Sequence, residues 1–184
     1  LRAMMFMPYI TTITAISVIF SLLYNPKFGT ISEFLRSIGI ANPPLWLTST
    51  EWALPSVMIV WIWQHIGYFV IIYLAGLQSV DRSYYEAAEI DGATGLKKFL
   101  HITMPLVSPT TFFLMITGAM SAFKVFEHVM MMTEGGPGNS TMVLVYHIYR
   151  TGFEFFKMGY ASAISWAFFL LIFIVTIIQW IGQK

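Results

Sequence analysis

Glu86-Ala87-Ala88-Glu89-Ile90-Asp91-Gly92, followed nine residues later by Ile102-Thr103-Met104-Pro105, is where the ionised side chains of this chain are densest. Long apolar runs flank it, residues 55–77 on one side and 110–132 on the other. A helix rises about 1.5 Å per residue and a hydrocarbon core is about 30 Å thick, so about 20 apolar residues cross it. A polar island between two runs of that length is a water-facing loop joining two membrane spans. That reading decides the fold: an all-α, polytopic membrane helix bundle in which this loop carries the sharpest motif.

Composition agrees. Apolar residues make up 57% of the chain and charged ones only 10%, against about 25% charged in a soluble domain. Mean hydropathy is +0.71. A net charge of +1 supplies no basic field, so nucleic acid is not an expected partner. The absence of cysteine excludes disulfides, thiolate metal sites and cysteine nucleophiles.

Working outward from the loop at 81–109, the hydropathy pattern places four spans in a single domain, at about 3–24, 55–77, 110–132 and 160–181. Asn25-Pro26-Lys27-Phe28-Gly29 reads as a turn and residues 31–40 as a short amphipathic helix lying on the interface. Trp46 and Trp52 suit an aromatic belt ahead of the second span. Thr133-Glu134-Gly135-Gly136-Pro137-Gly138-Asn139 is a run of breakers, and residues 142–158 read as a second interfacial helix. The sequence opens at Leu1 in a bilayer-grade run without the three regions of a signal peptide, so a preceding portion is expected rather than a leader.

Four spans put both termini and the loop on one side. Arg2, Arg82, Lys97, Lys98 and Lys184 then oppose Lys27, Arg36, Lys124, Arg150 and Lys157, and charge counting gives no orientation. Small residues at four-residue spacing, Gly118 with Ala122 and Ala161 with Ser165, allow close helix approach or line a path.

Within the loop, Ser83-Tyr84-Tyr85-Glu86 fits a capping box, Gly92 fits a left-handed helix end, and a second short helix over 95–103 is expected to stop at Pro105. Ala87 and Ala88 leave one side thin, and Glu86 and Asp91 offer carboxylates to a basic partner. The alternative is a solvated connector.

Four polar groups lie inside apolar runs. A charge at the bilayer centre costs roughly 2.5–3.5 kcal/mol on insertion scales, so Lys124 and Glu127 must face protein or water. Three apart on one helix, they are either part of a gate or a mutually satisfied pair. Gln64 and His65 either meet a ligand within the bundle, with Trp61, Trp63 and Tyr68 supplying ring faces, or bond to a neighbouring helix. His65, His101, His128 and His147 show no ligand spacing, so no metal site is expected. No P-loop, H-E-x-x-H or G-x-S-x-G occurs, so no nucleotide cofactor and no catalytic residue is expected in this chain.

Glu86-Ala87-Ala88, Gly92, Ile102 and Met104-Pro105 together resemble the EAA signature of ABC importer permeases, with Met104 where the pattern has Leu. Glu89-Ile90-Asp91-Gly92-Ala93, Thr133-Glu134-Gly135-Gly136-Pro137, Met158-Gly159-Tyr160-Ala161-Ser162-Ala163 and Tyr24-Asn25-Pro26-Lys27-Phe28-Gly29 resemble the carbohydrate-uptake branch, and within it the maltose- and glycerol-phosphate-type first permease. The resemblance implies a six-span core of which four spans are present here. It also implies a second permease sharing the path, a dimer of ATP-binding cassette ATPases that holds ATP and Mg on the cytoplasmic face, and an extracytoplasmic solute-binding protein that delivers the sugar. Glu86, Ala87, Ala88, Asp91, Gly92, Ile102 and Pro105 would dock on the ATPase, and Gln64, His65, Lys124 and Glu127 are the expected path residues. Membrane lipid surrounds the spans, and a bacterial or archaeal cytoplasmic membrane is implied. Residue chemistry alone also allows a secondary transporter or channel working without nucleotide, using His65 and Lys124–Glu127 for an ion pathway.

Overall fold

A computed structural model describes residues 2–182, with side chains from residue 4 onward. Lys184 and the side chain of Arg2, both counted in the charge tally, lie outside the described residues. Every element among the described residues is helical.

The element that organises the rest is α4 (Ala53–Gln78), whose 26 residues run unbroken and apolar from one side of the bundle to the other. With α7 (Met104–Phe123) and α10 (Met158–Ile181) it supplies the long helices of the bundle, and three helices are long and apolar enough to cross a membrane.

The first apolar run is not one helix. It forms α1 (Arg2–Ile10) and α2 (Ile13–Leu23), bent by 106° at Thr11 and Thr12. Pro8 lacks an N–H inside α1. The Thr11 hydroxyl donates back to the Met7 carbonyl at 3.0 Å, and Thr12 is extended. Hydropathy averages over such a break and cannot register it.

The third run is also broken. The helix α7 ends at Phe123, residues 124–126 are non-helical, and α8 (Glu127–Met132) starts a new helix after them. Lys124 and Glu127 therefore flank a break. They do not share a helical face, and they form no ion pair with each other; the ion pairs among the described residues are Arg82–Glu86, Glu89–Lys98 and Arg150–Glu154.

Burial follows these breaks. Ile16 of α2, Val57 and Val60 of α4, Val129 and Met132 of α8, and Tyr24 and Tyr146 form the core. The short helix α3 (Thr30–Ser37) lies beside it, with Trp46 stacked on Tyr24 at 5.2 Å. The helix α9 (Leu144–Tyr149) continues into a π turn over Arg150–Glu154 and covers the same end. Packing of α1 on α4 is so close at Gly67 that any Cβ there would collide with the Met5 backbone carbonyl. Gly118 faces the end of the Phe69 side chain of α4, a contact a ring can adjust to, unlike the backbone contact at Gly67. By contrast α10 packs mainly on α7, α9 and the π turn at Arg150–Glu154, and most of its length is exposed apolar surface.

Candidate functional site: a polar cavity where two broken helices meet

The two breaks lie at the same level because one side chain holds both. Gln64, in the middle of α4 and 2% exposed, donates from Nε2 to the Thr11 carbonyl at 3.3 Å. Its Oε1 lies 2.7 Å from Nε2 of His128, which is equally buried. Irregular backbone at membrane depth persists only where protein or a wet cavity satisfies it. Gln64 does that for Thr11 while anchoring the first turn of α8. Of the two readings the sequence left open, the geometry selects the bond to neighbouring helices: both ends of the Gln64 amide are engaged by them.

In front of this anchor is a cavity of about 250 Å³ lined by Ile13, Trp61, His65, Ser121, Lys124 and the residues 125–128. It adjoins a smaller one of about 60 Å³ lined by Tyr9, His65, Tyr68, Phe69, Thr117, Gly118 and Ser121. His65 stacks on Trp61 at 4.2 Å and bonds through Nδ1 to the Trp61 carbonyl at 2.9 Å, which fixes its ring at the junction of the two. Tyr9 stacks on Tyr68 at 5.0 Å and closes the smaller chamber.

The expected path residues thus separate. His65, Lys124 and Glu127 converge on the cavity, and Gln64 stands behind it. Trp61 and Tyr68 contribute ring faces, whereas Trp63 points elsewhere and packs on Phe20 at 5.1 Å. Lys124 ends α7 and Glu127 begins α8, so each charge sits at the helix end whose dipole favours it. What sequence reasoning missed is His128. Scattered spacing hid it, and its only signal was that of a polar residue in an apolar run.

At the other end of α4 the loop is built as a cornered pair. Asp81, not Ser83, caps α5 (Arg82–Ile90): its Oδ1 accepts from the Ser83 N–H at 2.9 Å. That hydrogen bond from the Ser83 N–H holds the Asp81 carboxyl below the usual carboxylate range. Freed from a capping role, Glu86 pairs with Arg82 at 3.3 Å. Gly92, at φ +73°, ends the helix in the left-handed region.

The helix α6 (Gly95–Lys98) does not stop at Pro105. A π turn over Phe99–Thr103 lets the Met104 N–H reach the Phe99 carbonyl, and Pro105 then falls in the first turn of α7, where its missing N–H costs nothing. Loop and span are therefore one helical piece. Two side-chain bonds tie α5 to it: Tyr85 to Thr103 at 2.8 Å and Lys98 to Glu89 at 2.6 Å. Glu86, Ala87, Asp91, Gly92 and Pro105 are exposed, with Ala88 and Ile102 half-buried, so the motif residues present an open surface rather than a packed one.

Residues 1–182 match the family described as the binding-protein-dependent transport system inner membrane component. The chain belongs to that family. Among its relatives, the lactose transport system permease protein LacF of Rhizobium radiobacter is 36% identical over all of this chain and 62% of its own length. The sn-glycerol-3-phosphate transport system permease protein UgpA of Agrobacterium fabrum is 36% identical over 97% of this chain and 60% of its own. The sulfoquinovosyl glycerol transport system permease protein SmoG of the same organism is 32% identical, over 96% and 57%.

A crystal structure of a bacterial ABC transporter involved in the import of the acidic polysaccharide alginate shares the fold. Its TM-score is 0.88 at 24% identity, covering 99% of this chain and 64% of that one. The chain thus spans about three fifths of the length of the curated relatives it matches. As a member of an inner-membrane family with long apolar helices, it is an integral membrane protein.

Proposed function

We propose that this chain is the transmembrane permease subunit of an ATP-driven, binding-protein-dependent importer for a sugar or sugar derivative in a bacterial or archaeal cytoplasmic membrane. One observation carries the reading: two broken spans meet around a polar cavity on α4, and α4 runs without interruption from that cavity to the exposed loop. A force on the loop therefore has a rigid route to the level at which His65, Ser121, Lys124 and Glu127 converge.

The chemistry suits a polyol. Ser121, His65, Lys124 and Glu127 offer donors and acceptors for hydroxyls, and Trp61, Tyr68 and Tyr9 offer faces for sugar rings. Each chamber falls below the roughly 300 Å³ at which ordinary ligand pockets begin. Ser121, Lys124 and Glu127 are exposed on its open side. Both facts fit half of a path, completed by a second permease.

On the cytoplasmic face, Glu86, Ala87, Ala88, Asp91, Gly92, Ile102 and Pro105 dock on an ATP-binding cassette dimer. That dimer binds ATP and Mg and performs the hydrolysis, so no catalytic step falls to this chain. A solute-binding protein delivers the sugar from outside, and lipid or the partner permease covers α10.

The 184 residues carry no cysteine, so cysteines are introduced at positions 86 and 92 of a full-length permease from which any further cysteine has been removed. Cross-links to the cognate ATPase that change with ATP are the expected result. Glu86→Lys should abolish ATP-dependent uptake while leaving membrane insertion intact. Wild-type uptake in that variant, or uptake that persists on a proton gradient after ATP is depleted, refutes the reading.

A further inference from the structure

We infer that His128 is a substrate-contacting residue of the path, presenting a hydroxyl acceptor to the cavity in a tautomer dictated by Gln64 and Thr11. The inference rests on the transport reading above and names a contact that it does not contain.

The argument starts from an atom with no choice. The Thr11 carbonyl oxygen can only accept, so the end of the Gln64 amide facing it at 3.3 Å must be the NH₂. A flipped amide would set two acceptors against each other in a buried site. The Oε1 end therefore faces His128, and an amide oxygen can only accept as well. The 2.7 Å contact then requires Nε2 of His128 to carry the proton.

In a neutral imidazole the other nitrogen is then an acceptor. Nδ1 has no partner among the described hydrogen bonds, and His128 lines the cavity of about 250 Å³ together with Glu127, Trp61 and His65. His128 is 2% exposed, so a donor to Nδ1 has to come from within that cavity. His65, whose Nδ1 donates to the Trp61 carbonyl, presents its Nε2 as a second neutral acceptor, and Lys124 and Glu127 bring charge. A neutral acceptor fixed in orientation by two successive bonds is suited to one substrate hydroxyl, and its position against the backbone break sets which one.

The test uses the full-length permease assembled with its partner permease and ATPase in lipid nanodiscs, carrying ¹⁵N-labelled histidine. The His128 signals are identified by their loss in His128→Gln. A panel of neutral, phosphorylated and uronic-acid saccharides is first screened for ATP-dependent uptake, and a transported member is then titrated. The expected result is an Nε2-protonated His128 whose Nδ1 resonance shifts on adding that sugar.

In Gln64→Leu the preference for that tautomer should relax, and Vmax/KM for the sugar should fall about tenfold. An Nδ1-protonated ring overturns the inference, as does an Nδ1 resonance that stays put at saturating sugar, with the transport reading left standing. No ATP-dependent uptake across the panel overturns the transport reading and this inference with it.

Discussion

Gly67→Ala is the perturbation that tests the bundle most directly. A Cβ at Gly67 would collide with the carbonyl oxygen of Met5, lie 2.6 Å from its carbonyl carbon and 3.0 Å from the Cα of Phe6. All three are backbone atoms of α1, so no side-chain rotation relieves the clash and α1 must lift off α4. A lift of about 0.5–1 Å already forfeits about a quarter to a half of each dispersion well across the contact. The Tyr9–Tyr68 and Tyr9–His65 ring contacts, at 5.0 and 5.6 Å, lie on that same face.

Overpacking of this kind costs about 1–3 kcal/mol. Alanine recovers up to about 1 kcal/mol of helix propensity over glycine. The net expectation is a loss of about 1–2 kcal/mol. Gly159, in the first turn of α10, has nothing within 4 Å of an added Cβ, so Gly159→Ala receives the propensity gain without the clash.

Thermal unfolding of the two full-length variants in one detergent, beside wild type, gives the comparison. Gly67→Ala should fall below wild type and Gly159→Ala at or above it. Equal stability of the two variants would refute the α1–α4 crossing, and the cavity behind it would lose its wall.

Gln64→Leu should cost about 1–3 kcal/mol. Two intramembrane hydrogen bonds at about 0.6 kcal/mol each, and at most about 1.7, are lost, while the Thr11 carbonyl and the His128 ring are left unpaired in a buried site. SDS titration of the folded permease measures this, and a wild-type midpoint would show that the anchor holds nothing. The loop brace has a pH signature. The hydrogen bond from Lys98, and then its charge, hold Glu89 below its ordinary carboxylate range, so the pair's contribution is complete at neutral pH and is lost as acid carries Glu89 through its lowered folded value. Nitroxide distances between positions 90 and 96 should be narrow at neutral pH and broad at about pH 3. Lys98→Gln should broaden them at both, and widths that ignore both changes would remove the brace from the mechanism.

The helical class and the long helices α4 and α10 were legible because spanning a bilayer demands a long uninterrupted apolar run, whereas the run read as one span over 110–132 is the end of α7, a break and α8. Gly92 was legible for a local reason: a helix corner needs a residue that tolerates φ +73°. The capping residue was not, because Asp81 and Ser83 are both good caps and the choice between them turns on where α5 begins. Pro105 misled for a similar reason. Proline ends a helix only where its missing N–H was needed, and the π turn before it had already moved the hydrogen-bond register by one.

The site was harder to read because its defining events are interruptions. A break at Thr11–Thr12 and another at residues 124–126 leave the hydropathy average nearly unchanged, yet together they turn two apolar helices into the walls of a polar chamber. Lys124 and Glu127 looked like an ion pair only on the assumption of a continuous helix. Once α7 ends at Phe123, the same two charges become the two ends of separate helices, each placed where the local dipole accepts it. His128 was invisible for the complementary reason. Its partner is 64 residues away in sequence, and nothing local marks a histidine whose role is set by an amide on another helix. The breaks and the buried Gln64 therefore satisfy one another. Irregular backbone at this depth needs a polar partner, and here one end of the buried amide is satisfied by that backbone and the other by the helix that restarts beside it. An unbroken polar residue in the middle of an otherwise apolar span is thus a pointer to broken helices beside it.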